Sequence, residues 1–136
     1  MAIQWRDAMS VGSEAIDEDH KKLFMLVNLY EDAIAKHNLF ELRMAFQGLV
    51  EYTAGHFERE EKLQEAIAFP LAQEHLQEHR ELVRQLEAFN AGLSDPDKPR
   101  LSLEEAGRFL HDWIVSHVFR EDMKMRPLLL GRPIAR

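Results

Sequence analysis

The sequence predicts an all-α protein, an antiparallel up-down-up-down four-helix bundle. Three observations predict it. Four stretches of about 20 residues repeat apolar positions in alternating steps of three and four, the seam of a bundle helix. The breaks between them carry helix-capping residues, glycine and proline. No stretch alternates with the two-residue period of a strand.

Residues 1–15 lack a long period, but Ile3, Trp5, Met9 and Val11 are apolar enough for an ordered arm capping one bundle end. Ile16, His20, Leu23, Val27, Tyr30 and Ile34 then form the seam of a first helix over about 17–36. Asp17, Glu18 and Asp19 read as negative charge in its first turn, where the helix dipole favours it. Asn38 opens a second helix, about 39–64, with an acidic residue at Glu41. Its seam is Leu42, Phe46, Leu49, Thr53, His56, Glu60 and Leu63. Pro70 suits the first turn of a third helix, about 70–90, with the seam Ala72, His75, His79, Leu82, Leu86 and Phe89. Gly92, Pro96 and Pro99 mark residues 91–101 as a loop. Ser102 to Glu105 is a capping-box signature opening a fourth helix, about 102–125, with Leu103, Ala106, Leu110, Trp113 and His117 on its seam. Pro127, Gly131 and Pro133 end regular structure, and Leu128–Leu130 in the tail 126–136 are expected to pack on the bundle end.

At 136 residues, the chain 1–136 reads as one domain able to bury a real core. A net charge of −7 without a basic cluster argues against nucleic acid. There are no cysteines, so disulfides and thiolate metal sites are out. The acidic N-terminal stretch has no apolar core of a signal peptide, and no apolar run reaches the roughly 20 residues a bilayer needs. A soluble, cytoplasmic monomer with no membrane association is expected.

The seams carry polar residues where a core should be apolar. His20, His56, Glu60, His75, His79 and His117 all face inward, from all four helices. An unpaired buried polar group costs on the order of 1–3 kcal/mol, so six without a common partner would rival total stability. A metal centre makes each of them a ligand. His56 and Glu60 are four apart, as are His75 and His79, and such pairs share a helix face with Cβ atoms roughly 5–6 Å apart. Their depths agree, since late second helix faces early third helix, and early first faces late fourth. One more carboxylate is needed, and Asp122 is the candidate. It follows His117 by five residues, about 140° round an ideal helix. Either the two approach from opposite sides of the seam or the helix carries a local π turn. Glu121, one turn after His117, is the rival on geometry alone.

These residues resemble the hemerythrin family, and specifically its single-domain bacterial members. The pattern His, His-x-x-x-Glu, His-x-x-x-His, His-x-x-x-x-Asp runs through His20, His56, Glu60, His75, His79, His117 and Asp122. Trp113 four before His117, Trp5 in the arm, the segment Ile16 to Leu23, Phe57, Glu61, and Phe69-Pro70 strengthen it. The resemblance covers about residues 5–125 and favours Asp122 over Glu121. Met125 stands where many relatives carry tyrosine.

The resemblance implies two iron ions with an oxo or hydroxo bridge. His75, His79 and His117 would hold one iron, His20 and His56 the other, and Glu60 and Asp122 would bridge them. These ligands fill all but one position on two six-coordinate irons, and the open one, on the two-histidine iron, is where the family binds O2. Five neutral imidazoles with only two carboxylates favour reversible binding over the oxidising chemistry of carboxylate-rich di-iron sites. Phe57, Trp113, Ile114 and Val118 flank ligands and are expected to line the O2 pocket as well as pack the core. A non-enzymatic O2 carrier is thus expected, with an O2-consuming enzyme as one kind of client. Two other readings are an O2, NO or redox sensor acting through a separate signalling partner, and a peroxidase or NO-handling enzyme. His37 and His111 read as surface residues. Glu58, Glu61, Glu65, Glu74 and Glu78 read as a solvated face, from which one or two could orient ligand imidazoles.

Overall fold

A computed structural model describes residues 3–94 and 103–131. Helix α1 spans Glu14–Ala35, α2 Leu39–Ala66, α3 Ala72–Ser94 and α4 Leu103–Ser116. A π turn at His117–Glu121, a 3-10 turn at Asp122–Met125 and the short α5 at Arg126–Leu129 come next. Helix α1 packs on α2 and α4, and α2 on α3. Phe89 of α3 stacks on Phe109 of α4 at 4.5 Å, so the four long helices close into the expected bundle. Among the described residues no helix is long and apolar enough to cross a membrane.

Local chemistry explains where the bounds differ from expectation. Helix α1 begins three residues earlier than read, because the Ser13 side chain accepts from Ile16 N and serves as its N-cap. Asp17 therefore lies in the first turn, and Asp19 does not. Asn38 caps α2 as expected, accepting from Glu41 N at 3.1 Å. Helix α3 starts at Ala72 rather than at Pro70, its first bond running from His75 N to Leu71 O, and it continues to Ser94 into the stretch read as loop. Pro70 sits instead in the turn that closes α2. The Ser102 cap and the tail beyond Gly131 lie outside the described residues.

Two helix ends close through residues with positive φ. At His37 (φ 54) and Ala68 (φ 52) the chain turns left-handed, and the next amide reaches back five residues, Asn38 N to Ala33 O and Phe69 N to Gln64 O. Alanine pays about 1–2 kcal/mol in that conformation. Ala68→Gly should therefore raise unfolding free energy by about 1 kcal/mol in a denaturant titration, and a loss of stability would contradict this account of the α2–α3 turn.

The core divides by depth. Toward one end Val27, Tyr30, Leu42, Phe46, Leu49, Leu86 and Leu110 are buried and, Tyr30 aside, wholly apolar. Toward the other, the buried residues include the polar set His20, His56, Glu60, Gln64, His75, His79, His117 and Asp122. The arm runs along α1 from Asn28 toward this second end. Ile3 exchanges two hydrogen bonds with Asn28, and Trp5 packs on Phe24. Val11 is fully buried with its amide on Asp17, which also accepts from Ser10. Gly12 (φ +93) brings the backbone so close to α5 that a Cβ there would lie 3.3 Å from Leu129.

Candidate metal centre

Each of the seven predicted ligands is at most 2% exposed, and all lie in one layer of the bundle. Donor atoms of His20, His56, Glu60, His117 and Asp122 fall within 4.8 Å of one another, as do those of His75, His79, His117 and Asp122. Asp122 enters this set through the π turn. One extra residue in that turn brings His117 and Asp122 onto one face, with Nε2 and Oδ2 2.8 Å apart. Of the two arrangements open from spacing, the chain takes the π turn. Glu121 is partly exposed and bonds Lys124 instead.

The five imidazoles all present Nε2 inward. Glu60 divides its oxygens between them: Oε1 meets His75 at 3.0 Å and His79 at 3.1 Å, while Oε2 meets His56 at 3.1 Å. Asp122 does the same, with Oδ1 2.9 Å from His75 and Oδ2 2.6 Å from His20. Two carboxylates, each with one oxygen toward either group of histidines, have the disposition of bridging ligands. His117 belongs to both groups by distance, so spacing alone does not apportion it.

Proton bookkeeping tests whether a metal fits. His56 Nε2 and His117 Nε2 face each other at 3.2 Å, and both are acceptors when the neutral rings carry their proton on Nδ1. Glu60 Oε2 is buried and makes no hydrogen bond of good geometry. Inward lone pairs with no donor between them are what a cation satisfies, and the imidazole and carboxylate donors suit first-row metals. The residues fit.

Outward, Nδ1 atoms find partners of differing strength. His56 Nδ1 lies 3.1 Å from Asp19 Oδ2, and His79 Nδ1 3.0 Å from Glu61 Oε2. His75 Nδ1 lies 2.9 Å from the Gln64 side-chain amide, which also reaches the Met125 sulfur. Glu78 is 4.0 Å from His117 Nδ1, and His20 Nδ1 has no partner. Imidazole ligands characteristically donate this second N–H to carboxylates such as Asp19 and Glu61, which fixes tautomer and orientation. Glu61 is thus one of the five glutamates from which a partner for a ligand imidazole is expected, and it stays 35% exposed. Asp19 and Gln64 were missed, and the seam end assigned to Leu63 belongs to Gln64. Their spacing held the signal: Asp19 is three after Ile16 and four before Leu23, and Gln64 is one turn after Glu60.

The walls are apolar. Phe57 stacks on His79 with ring centroids 3.8 Å apart, and Trp113 lies nearly parallel to His117 at 6.0 Å. Ile114 is fully buried, and the Val118 side chain lies outside the described residues. His37 is exposed and His111 partly so, away from the centre.

Residues 11–129 match the family model described as "Hemerythrin HHE cation binding domain". The chain belongs to the hemerythrin family. It is 27% identical to a bacteriohemerythrin of Clostridium acetobutylicum over 122 residues, 87% of this chain and 94% of that one. A bacteriohemerythrin of Methylococcus capsulatus is 28% identical over 117 residues, covering 83% and 85%. The crystal structure of wild-type hemerythrin superposes with a TM-score of 0.84 at 25% identity, covering 95% of this chain and 98% of that one. Hemerythrins bind non-haem iron, and the buried histidine–carboxylate cluster is where this chain can hold metal.

Proposed function

We propose that the chain is a di-iron protein that binds O2 reversibly, with His20, His56, His75, His79 and His117 as terminal ligands and Glu60 and Asp122 as bridges. The observation that carries this reading is the division of both carboxylates between two groups of inward Nε2 atoms. His75, His79 and His117 are assigned to one iron and His20 and His56 to the other, following the family pattern. An iron pair held by these residues would supply the reducing power to bind O2.

The chain's own part is to hold that pair and keep it dry. Phe57, Trp113 and Ile114 exclude water and stray proton donors from the side of His56 and His117. Asp19 and Glu61 keep the His56 and His79 imidazoles in the Nδ1–H tautomer with Nε2 free for metal. Among the described residues no buried acid outside the ligand set faces the inward Nε2 atoms to deliver protons for reductive cleavage, which favours a carrier over a peroxidase. Storage, delivery to an O2-consuming enzyme and scavenging are uses of the same binding step, in the cytoplasm by this reading.

Metal content with an anaerobic-to-aerobic absorption spectrum tests it. Two irons per chain and a visible band that appears with O2 and bleaches on its removal are expected. A band that fails to bleach would rule out the carrier and leave a redox sensor or an oxidising enzyme.

A further inference from the structure

Asp19 is a carboxylate only 4% exposed, and it is not a candidate ligand. Three groups converge on it. Tyr52 donates its hydroxyl to Oδ1 at 2.7 Å. Arg59 donates through Nη2 to Oδ1 at 2.7 Å and through Nε to Oδ2 at 2.9 Å. His56 Nδ1 completes the set at 3.1 Å from Oδ2. The guanidinium lies over the Tyr52 ring at 5.3 Å, and its own side chain is 46% exposed. Gly55 leaves room for it: a Cβ there would lie 3.1 Å from Arg59 Nη1.

The other inward imidazoles lack such a clamp. Gln64 offers His75 a neutral amide, Glu61 beside His79 is 35% exposed, and His20 Nδ1 has nothing. His20 and His56 are the histidines assigned to one metal, so only one of that pair is backed by a buried anion.

We propose that Asp19, gripped by Arg59 and Tyr52, is a positioning residue that fixes His56 on its metal and sets how strongly that imidazole donates electrons. This rests on the metal reading above. A carboxylate on Nδ1–H directs the Nε2 lone pair to the metal and makes the ring more basic, which favours the more oxidised ion. Arg59 acts against Asp19, because a guanidinium drawing on both oxygens leaves less charge for the imidazole. The outer pair is thus a graded control, with its cationic half at the surface.

The opposing signs supply the test. The full chain, its Asp19→Asn variant and its Arg59→Gln variant are loaded with iron(II) without air, and affinity and midpoint potential are measured. Asp19→Asn should weaken one of the two iron sites by about 10- to 100-fold and raise the potential. Arg59→Gln should lower the potential. A purely structural role would move both variants the same way. Shifts of the same sign, or an Asp19→Asn variant equal to the parent in affinity and potential, would overturn the proposal while leaving the iron reading intact. A parent chain that takes up no iron would overturn both. If Asp19→Asn does not fold, the sign of the Arg59→Gln shift decides.

Discussion

Glu60→Gln should empty the metal centre. The substitution keeps the size and one acceptor oxygen, but removes the charge and the second oxygen that faces the other histidine group. Even partners outside the ligand shell cost 10- to 100-fold in metal affinity, so loss of a bridging ligand should exceed about 100-fold. Iron analysis after gel filtration should then find the variant essentially metal-free, while the parent keeps two ions. The amide is the better choice than alanine. In the metal-free chain Glu60 faces three imidazoles, and removing one partner from a buried charged set costs about 3–5 kcal/mol. A variant that retained both ions would refute the bridging assignment and make Glu60 a packing residue.

Metal removal is the second large effect. A ligand bound only by the folded chain at 1,000 times its dissociation constant adds about 4 kcal/mol, which for a domain of this size is on the order of 10 °C in Tm. The chelated protein should also gain a pH dependence that the loaded one lacks. Burial pushes the His75 imidazole down, but Asp122 and Glu60 outweigh it and hold it up at about 10. Burial likewise opposes charge on His117, and Asp122 first and then Glu78 and Glu60 hold it at about 9. His56 is raised well above the ordinary 6.5 against the same burial cost, by Asp122, Asp19 and Glu60. Protons thus take the place of the cations. Folded values above the ordinary one mean a contribution complete below pH 6.5 and lost as pH rises through 9–10. Glu60 runs the other way. Burial and Asp122 push its carboxyl up, its histidines outweigh them and hold it at about 2, and its contribution fades as pH falls toward that value. Thermal melts of the chelated protein should show Tm falling between pH 7 and 10. A flat or rising Tm over that range would contradict this charge arrangement.

Most of the bundle was legible because burial imposes a period. The residues that break the apolar pattern, His20, His56, Glu60, His75, His79 and His117, sit on the seams and converge as the spacing implied. What the sequence concealed was local geometry that more than one arrangement satisfies. A step of five from His117 to Asp122 allows either opposed approach or a π turn, and only backbone bonding decides. Left-handed closure at His37 and Ala68 carried no glycine to announce it. Asp19 was assigned to the helix dipole because it stood among Asp17 and Glu18, where a run of acids suggests solvent. Moving the helix start to Glu14 takes it out of the first turn, and its spacing from Ile16 and Leu23 puts it on the buried stripe.

The π turn has a consequence for how much the chain's length can vary there. Each helical residue rotates the chain beyond it by about 100°. Deleting one residue between His117 and Asp122 would still leave a carboxylate four positions on, facing inward. Everything beyond would keep its phase, Met125 toward Gln64 and Leu129 toward Gly12, because the π turn already holds the one extra residue; a further insertion would turn both away. Losing one residue in this segment is therefore far safer than gaining one, because an added residue changes the angle at which the chain's last described turn meets its arm.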